Sequence, residues 1–331
     1  CALPISEKQP DTGFLPGGRQ MRGEEKMQYR KRMRTLWAAV SAAVFCASAP
    51  VTVQAAAFEK ENGQYVNAEG TAVEGALFRG VSVSKYQGEI DWAAAAADDV
   101  SFAMIRMGYL DSLDPTFDAN MREAAASGIQ TGVYLYSQAL DVDRAVKEAQ
   151  FAVRTAKDYR VSYPIAMDVE SAYISGLSRQ ELTDIVNAFC RTVEEAGYHP
   201  VVFGYNDWLV NKMDTSQIPY DIWYARYGTV NTYPNRTIWQ CTDSGTVDGI
   251  EGPVCLELAF TDYSQVISPE GFKKIDGSWY YFKDYAKTDG WVQANGVWYY
   301  LDPEDGGRMV SDCWKEIDGQ MYQFDASGAM L

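Results

Sequence analysis

Two acidic side chains, Asp168 and Glu170, directly follow the apolar part of the stretch YPIAMDVES, residues 163–171. Apolar runs of this length are typical of buried strands, so both acids are expected at a strand end. Residues i and i+2 of a strand point to the same face, which would bring the two carboxyl groups together. Such a pair can supply the acid and its partner in hydrolysis. The alternative is two solvated strand-end acids or a helix cap.

The histidine and cysteine patterns argue against most other hydrolytic chemistries. His199 is the only histidine in the 331-residue chain, so a Ser-His-Asp or Cys-His site would have to use it. It lies in GYHPVVF, between a helix end and a strand start, where an exposed structural role is expected. No cysteine or histidine spacing typical of zinc sites occurs, so we predict no metal and no other cofactor.

The charge and the N-terminal pattern restrict partners and location. The net charge is −16, which argues against nucleic acid, because phosphate binding needs a basic face. Residues 27–56 have the pattern of a signal peptide: a basic start, an apolar segment over 36–49 and small residues at its end. A retained membrane anchor is the alternative, although the apolar segment is short for a span. We predict secretion, with residues 1–26 a tail of doubtful origin.

Strand candidates alternate with amphipathic helices between residues 76 and 264, after a predicted linker over 57–75. The strand candidates cover residues 76–84, 100–109, 129–139, 163–170, 199–206, 221–228, 236–242 and 254–260. Helices are predicted over 118–127, 141–159 and 178–196, the last opening with the capping box Ser178-x-x-Glu181. Strand–helix alternation indicates a parallel sheet or barrel. The predicted class is therefore α/β, an incomplete TIM-like (β/α) barrel with a helix-poor last third.

Residues 265–331 form a second predicted domain of aromatic repeats. IDGSWYYF (275–282), ANGVWYYLD (294–302) and IDGQMYQFD (317–325) resemble one another. Asp-Gly or Asn-Gly before an aromatic strand predicts a hairpin turn. One hairpin is too small to fold alone, so stacked hairpins must share a core. The aromatic residues either form only this core or also bind a ligand.

Several phrases of the barrel region coincide with those of a known family. They are GVSVSKYQGEIDW (80–92), GVYLYSQA (132–139), AMDVES (166–171), VVFGYN (201–206), IWYARY (222–227) and IWQCTDSGTVDGIEGPVCLELAF (238–260). In this order they resemble the glycoside hydrolase family 25 lysozymes. The aromatic hairpins resemble choline-binding-type repeats that anchor proteins to cell walls.

The resemblance implies cleavage of the β-1,4 bond between N-acetylmuramic acid and N-acetylglucosamine, at the C-terminal strand ends of the barrel. It assigns Glu170 as the general acid, with a pKa raised by burial and by the charge of Asp168, which stays ionised. Asp168 either attacks the sugar or orients the substrate's own 2-acetamido group. We favour the second route, because both carboxyl groups are expected on one side of the sugar.

The remaining candidate site residues fall into two groups. The predicted substrate-binding residues lie near strand ends and can hydrogen-bond or stack on sugars: Ser82, Tyr136, Tyr205, Trp223, Arg226 and Gln240. The predicted wall-binding residues would surround choline by cation–π attraction or stack on sugars: Trp279, Trp291, Trp298 and Trp314. Met321 stands where the other repeats have Trp, so a third site would be weaker.

Two acids of the family pattern are missing. The family's Gly-x-Asp-x-Ser has Ser82 in place of the acid, and its Val-Asp-x-Asn reads Val-Cys255-Leu-Glu257. We hypothesise a Cys241–Cys255 disulfide at the barrel rim, with two buried thiols as the alternative.

The missing acids leave two functions in competition. One is a secreted, monomeric muramidase that acts on bacterial cell-wall peptidoglycan and stays associated with the wall. The other is a weakly active or inactive wall-binding protein that retains the barrel. A chitinase-like glycosidase is disfavoured by the order of the phrases.

Overall fold

The computed structural model describes residues 58–67, 69–228 and 233–331. The predicted tail 1–26 and signal peptide 27–56 lie outside these residues. Within them, no helix is both long and apolar enough to cross a membrane.

The segment predicted as a linker, 57–75, contains a small packed hairpin. Its strands are β1 (Glu59–Glu61) and β2 (Gln64–Val66). Phe58 is fully buried, with its ring centroid 5.4 Å from that of Trp239. Tyr65 is also buried, and its hydroxyl donates to Asp99 Oδ2 at 3.0 Å. The linker prediction is therefore wrong for this part of the segment, because its aromatic side chains belong to the core.

Eight strands close into a barrel that agrees with the predicted fold class. They are β3 (Phe78–Val83), β4 (Phe102–Tyr109), β6 (Gln130–Tyr136), β7 (Ile165–Asp168), β8 (Pro200–Tyr205), β9 (Asp221–Ala225), β10 (Arg236–Gly245) and β11 (Val254–Ala259). A two-residue strand, β5 (Ser112–Leu113), pairs only with the end of β4. The ring closes because β3 pairs with both β4 and β11. β11 runs antiparallel to both of its neighbours, and the other seven strands are parallel.

The described α-helices all precede β8, which confirms the helix-poor last third. They are α1 (Trp92–Ala97), α2 (Phe117–Ala126), α3 (Val142–Ala156) and α4 (Arg179–Glu195). The predicted capping box is present at α4, where Ser178 Oγ accepts from the Glu181 N–H and the Glu181 side chain accepts from the Ser178 N–H. We did not predict α1, which begins after the N-cap Asp91 and is too short for a periodic pattern.

The barrel interior is apolar in its lower half. Phe102 stacks on Tyr163 with ring centroids 4.6 Å apart, and both are buried. Gly80 leaves room for this stack, because a Cβ there would lie 2.6 Å from the Phe102 ring. Ser82, two residues after Gly80 in β3, is polar and lies closer to the C-terminal ends of the parallel strands.

The C-terminal region consists of three small antiparallel sheets. Their strands are β12 (Gly271–Ile275), β13 (Ser278–Lys283), β14 (Ala286–Thr288), β15 (Gly290–Ala294), β16 (Val297–Asp302), β17 (Arg308–Met309), β18 (Cys313–Ile317) and β19 (Gln320–Phe324). The predicted hairpin turns lie at 276–277, 295–296 and 318–319. Both central residues of each turn have positive φ, which is why Asp-Gly and Asn-Gly occur there.

Candidate active site

Asp168 and Glu170 meet at the C-terminal end of β7. Asp168 is the last residue of the strand and is fully buried, whereas Glu170 lies beyond the strand end. The Glu170 N–H donates to Asp168 Oδ1 at 3.0 Å. Because β7 ends at Asp168, Glu170 lies just past the last paired residue, and the shared face of the two carboxyl groups stays a prediction. Its Oε1 accepts from the Tyr205 N–H at the end of β8.

Burial changes the acidity of both carboxyl groups. It raises the pKa of Asp168 well above its usual range, and the charge of Glu170 raises it further. It also raises the pKa of Glu170, against the effect of the Tyr205 N–H. We expected only Glu170 to hold a proton, but two such close and buried carboxyl groups cannot both ionise readily. Burial and the charge of Glu170 therefore make Asp168 ionise less readily than a solvated aspartate.

One oxygen of the pair is available to a ligand. Asp168 Oδ2 is buried and has no hydrogen-bond partner among the described residues. An acceptor left unpaired inside a protein costs free energy unless a ligand or water satisfies it. The site therefore presents an acceptor to a group that donates a hydrogen bond.

Tyrosines surround the pair on the rim of the barrel. Six consecutive parallel strands each end in or are followed by one: Tyr86, Tyr109, Tyr136, Tyr173, Tyr205 and Tyr227. All except the half-buried Tyr136 are exposed. Tyr136 and Tyr205, which we predicted, also contact Glu170: the Tyr136 hydroxyl donates to its carbonyl oxygen at 3.4 Å. Flat amphipathic rings of this kind suit the faces of sugars.

A polar network forms the floor below this rim. Gln240, a predicted site residue, is buried, and its Nε2 donates to Ser82 Oγ at 3.1 Å and to Glu257 Oε1 at 3.0 Å. Its Oε1 accepts from the Tyr227 hydroxyl at 2.9 Å. Ser82 and Glu257 are fully buried. Burial raises the pKa of Glu257 to about 8, although hydrogen bonds from Ser82 and Gln240 oppose the shift.

We did not predict Glu257 or Tyr227 as site residues. Cys255 and Glu257 are two residues apart in β11, so their side chains share the face that points into the barrel. Glu257 could have been predicted, because it is an acid two residues after Cys255, which stands where the family has an acid. Tyr227 was overlooked in favour of its neighbour Arg226, whose backbone carbonyl accepts from Trp239 Nε1.

Trp223 belongs to the barrel core rather than to an open sugar platform. It is 1% exposed, and its ring centroid lies 4.3 Å from that of Phe203 and 5.8 Å from that of Tyr134. Its indole N–H is buried without a hydrogen-bond partner among the described residues. Direct stacking of a sugar on Trp223 is excluded by these neighbours.

A cation also lies near the pair. The guanidinium of Arg106 is held by Asp114 Oδ2, with its Nε 2.8 Å from that oxygen, and its Cζ lies 5.2 Å from the centroid of the Tyr86 ring. Its charge lowers the pKa of Asp168, opposing the effect of burial. We did not predict Arg106 as a site residue. Its position as the only charged residue of the apolar strand β4 could have indicated it.

The predicted Cys241–Cys255 disulfide is wrong. Cys241 is a free, buried thiol whose Sγ lies 3.2 Å from the Leu256 carbonyl oxygen. Cys255 is paired in register with Ser82, which points into the barrel, and directly opposite residues share a face. Gln240 points inward, so the next residue, Cys241, points to the outer layer. The two side chains lie on opposite faces of the sheet.

His199 lies at the other end of the barrel, at the start of β8. Its Nε2 is 2.8 Å from Asp221 Oδ2, which also accepts from the Tyr263 hydroxyl at 3.0 Å. Its side chain is 29% exposed, so it is less exposed than we expected. Its contacts join two strand starts and fit the structural role that the sequence indicated.

The hairpins contain two three-ring corners with the same geometry. In the first, the Phe272 ring centroid is 6.3 Å from that of Trp279 and 4.9 Å from that of Tyr299. In the second, which we define as Trp291, Trp298 and Tyr322, the Trp291 ring is 6.3 Å from Trp298 and 4.9 Å from Tyr322. Every pair is close to edge-to-face, at 68–87°.

The four predicted wall-binding tryptophans differ in environment. Trp279 and Trp298 are each about two-fifths exposed, at 41% and 42%. Trp291 is half-buried and contacts the rings of Tyr300 and Phe324 as well, so it also serves the hairpin core. Trp314 is 61% exposed and has no ring neighbour among the described residues.

Comparison with known proteins agrees with this architecture. The model of the glycosyl hydrolases family 25 matches residues 81–250, which is about half of the chain and contains Asp168 and Glu170. The chain belongs to this family. A putative cell wall binding repeat matches residues 270–284, and a choline-binding repeat matches 288–331.

Relatives of this family 25 chain include proteins with and without a described activity. The uncharacterized protein YegX of Escherichia coli K12 is 29% identical over 190 residues, which cover 53% of this chain and 66% of YegX. Lysozyme M1 of Streptomyces globisporus is 27% identical over 194 residues, 53% of this chain and 65% of that enzyme. The chain thus spans just under two thirds of the length of these relatives.

Among solved structures, the modular autolysin LytC of Streptococcus pneumoniae resembles this family 25 chain with a TM-score of 0.56 and 25% identity. The match covers 61% of this chain and 52% of LytC.

Proposed function

We propose that the protein is a secreted peptidoglycan hydrolase that cleaves the β-1,4 bond between N-acetylmuramic acid and N-acetylglucosamine. The pair of the buried Asp168 and the half-buried Glu170 at the tyrosine-lined rim carries the proposal, because it combines a proton donor with a sugar-binding surface. Lysozyme M1 is a relative, and LytC has been solved in complex with a synthetic peptidoglycan ligand. Both support a cell-wall glycan as the substrate.

Glu170 acts as the general acid in this proposal and Asp168 stabilises the substrate's 2-acetamido group. The raised pKa of Glu170 keeps its proton available for the leaving oxygen. The unpaired Asp168 Oδ2 can accept the acetamido N–H, which favours the ionised form of Asp168 once substrate binds. Substrate binding thus leaves the shared proton on Glu170. Nucleophilic attack by Asp168 itself is the alternative route.

The replacement of two family acids by Ser82 and Cys255 supports a second candidate, a wall-binding protein with weak or no activity. The intact pair opposes it. Digestion of purified peptidoglycan and identification of the new reducing ends distinguishes the two. We expect N-acetylmuramic acid ends. N-acetylglucosamine ends would contradict the proposed bond, and an absence of new ends would support the wall-binding alternative.

The two three-ring corners support wall binding by the hairpins, with choline as their ligand. A quaternary ammonium is attracted to the faces of several aromatic rings, and edge-to-face rings form the walls of such a cage. We expect Trp279→Ala and Trp298→Ala each to weaken choline binding, measured by quenching of tryptophan fluorescence in the full chain. Trp314→Ala is the matched control, because this ring belongs to neither corner. Equal losses in all three variants would contradict the assignment.

A further inference from the structure

Glu257 and Ser82 determine how the Gln240 amide is oriented. Both offer an oxygen to Gln240 Nε2, at 3.0 Å and 3.1 Å. A primary amide has its two donors on nitrogen and its acceptor on oxygen. With its NH₂ group turned to two acceptors, Gln240 must present its carbonyl oxygen to Tyr227, and the Tyr227 hydroxyl must donate to it.

Glu257 is the member of the network that fixes this direction. Its Oε1 accepts from Gln240, while its Oε2 is buried without a partner among the described residues. The Ser82 hydroxyl donates its single proton to Glu257, so its oxygen is left to accept from Gln240. Burial raises the pKa of Glu257 to about 8, and Oε1, the oxygen that contacts Gln240, can accept whether or not the group is ionised.

The orientation of the Gln240 amide affects Tyr227, which lies at the rim of the barrel. Tyr227 is 40% exposed, and its ring centroid is 5.7 Å from that of Tyr205, whose N–H contacts the Glu170 carboxylate. A tyrosine hydroxyl has a single proton, and that of Tyr227 is committed to Gln240. Its oxygen can therefore only accept a hydrogen bond from a group in the cleft.

We propose that Glu257 is a positioning residue that acts through Gln240 to hold Tyr227 as a hydrogen-bond acceptor, so that the site selects a glycan group with an N–H or O–H beside Glu170. The proposal rests on the proposed function for the nature of the glycan. Glu257 stands where the family pattern has Asn, and the family resemblance alone gives no function to this replacement. The proposal assigns it one.

Binding of a soluble glycan of alternating N-acetylglucosamine and N-acetylmuramic acid tests the proposal. The Kd is measured by calorimetry on the Glu170→Gln background, which prevents turnover. We expect Tyr227→Phe and Glu257→Leu each to raise the Kd about threefold to tenfold, the range for one hydrogen bond. The double variant should bind no more weakly than either single variant. Glu257→Gln should restore the Kd, because its amide oxygen can accept from Gln240.

Additive losses in the double variant would overturn the proposal, as would a Glu257→Leu protein that folds and binds normally. Thermal melts identify variants that fail to fold. If Glu257→Leu fails, Gln240→Leu removes the same link, and its Kd must again be unaffected by Tyr227→Phe. Failure of the proposed function is distinguishable, because wild-type protein would then release no muramic acid ends and the Glu170→Gln background would not bind the glycan at all.

Discussion

Glu170 is the residue on which the proposed chemistry depends most directly. Glu170→Gln should preserve the fold, because the amide oxygen can still accept from the Tyr205 N–H. The amide cannot protonate the leaving oxygen, and general acid–base catalysis typically contributes about 10²–10⁴-fold. We expect a loss of this size in the rate of reducing-end release, with an unchanged melting temperature. Near-normal turnover would remove Glu170 from the role.

Glu257 makes stability depend on pH. Its pKa is raised from 4.5 to about 8 in the folded protein, so the unfolded chain releases this proton first as pH rises. The stability that it contributes is therefore complete below about pH 4.5 and is lost progressively up to about pH 8. Each unit of difference corresponds to about 1.4 kcal/mol, so the total effect is on the order of several kcal/mol.

Glu257→Gln removes this dependence, because an amide does not titrate. Urea unfolding of both proteins at pH 4.5 and pH 8.5 should show the variant gaining stability relative to wild type at the higher pH. Other carboxyl groups titrate in both proteins and cancel in the difference. Parallel stability curves would show that Glu257 is not protonated in the folded barrel at neutral pH.

At the scale of single elements, the capping box of α4 is a local feature with a measurable effect. Ser178→Ala removes the acceptor for the Glu181 N–H and should cost about 1 kcal/mol in the free energy of unfolding. Ser178→Asn keeps a side-chain acceptor and should recover most of this loss. Urea unfolding measures both. If alanine and asparagine have equal effects, the box does not stabilise the helix.

The elements themselves could largely be predicted, because their signals are local. Alternating apolar runs predicted the eight barrel strands, and Asp-Gly or Asn-Gly predicted the hairpin turns. The site was less predictable, because it depends on which strands adjoin. Only the closed ring brings Gln240 of β10 beside Glu257 of β11 and Ser82 of β3. The Cys241–Cys255 bridge was wrongly predicted for the same reason, because strand register decides which face each cysteine side chain occupies.

At the scale of the whole molecule, the hairpins pack against the base of the barrel, away from the rim that holds Asp168 and Glu170. Lys273 of β12 donates to the Gly197 carbonyl at the end of α4. Its ammonium lies 4.4 Å from the Tyr198 ring centroid and 5.4 Å from that of Phe282. The ion pair Lys287–Asp158, at 2.7 Å, also joins the two regions. Lys273 thus joins the barrel and the hairpins by one hydrogen bond and two ring contacts.

Lys273→Ala should weaken this link and allow the hairpins to unfold separately from the barrel. It removes one hydrogen bond from a charged donor, typically about 1.5–3 kcal/mol, and two cation–π contacts. Lys274→Ala is the matched control, because the adjacent side chain is exposed and lies only near Trp279, at 5.7 Å from its centroid. We expect calorimetry to show one transition for wild type and Lys274→Ala but two for Lys273→Ala. Identical melting of the two variants would show that other contacts hold the two regions together.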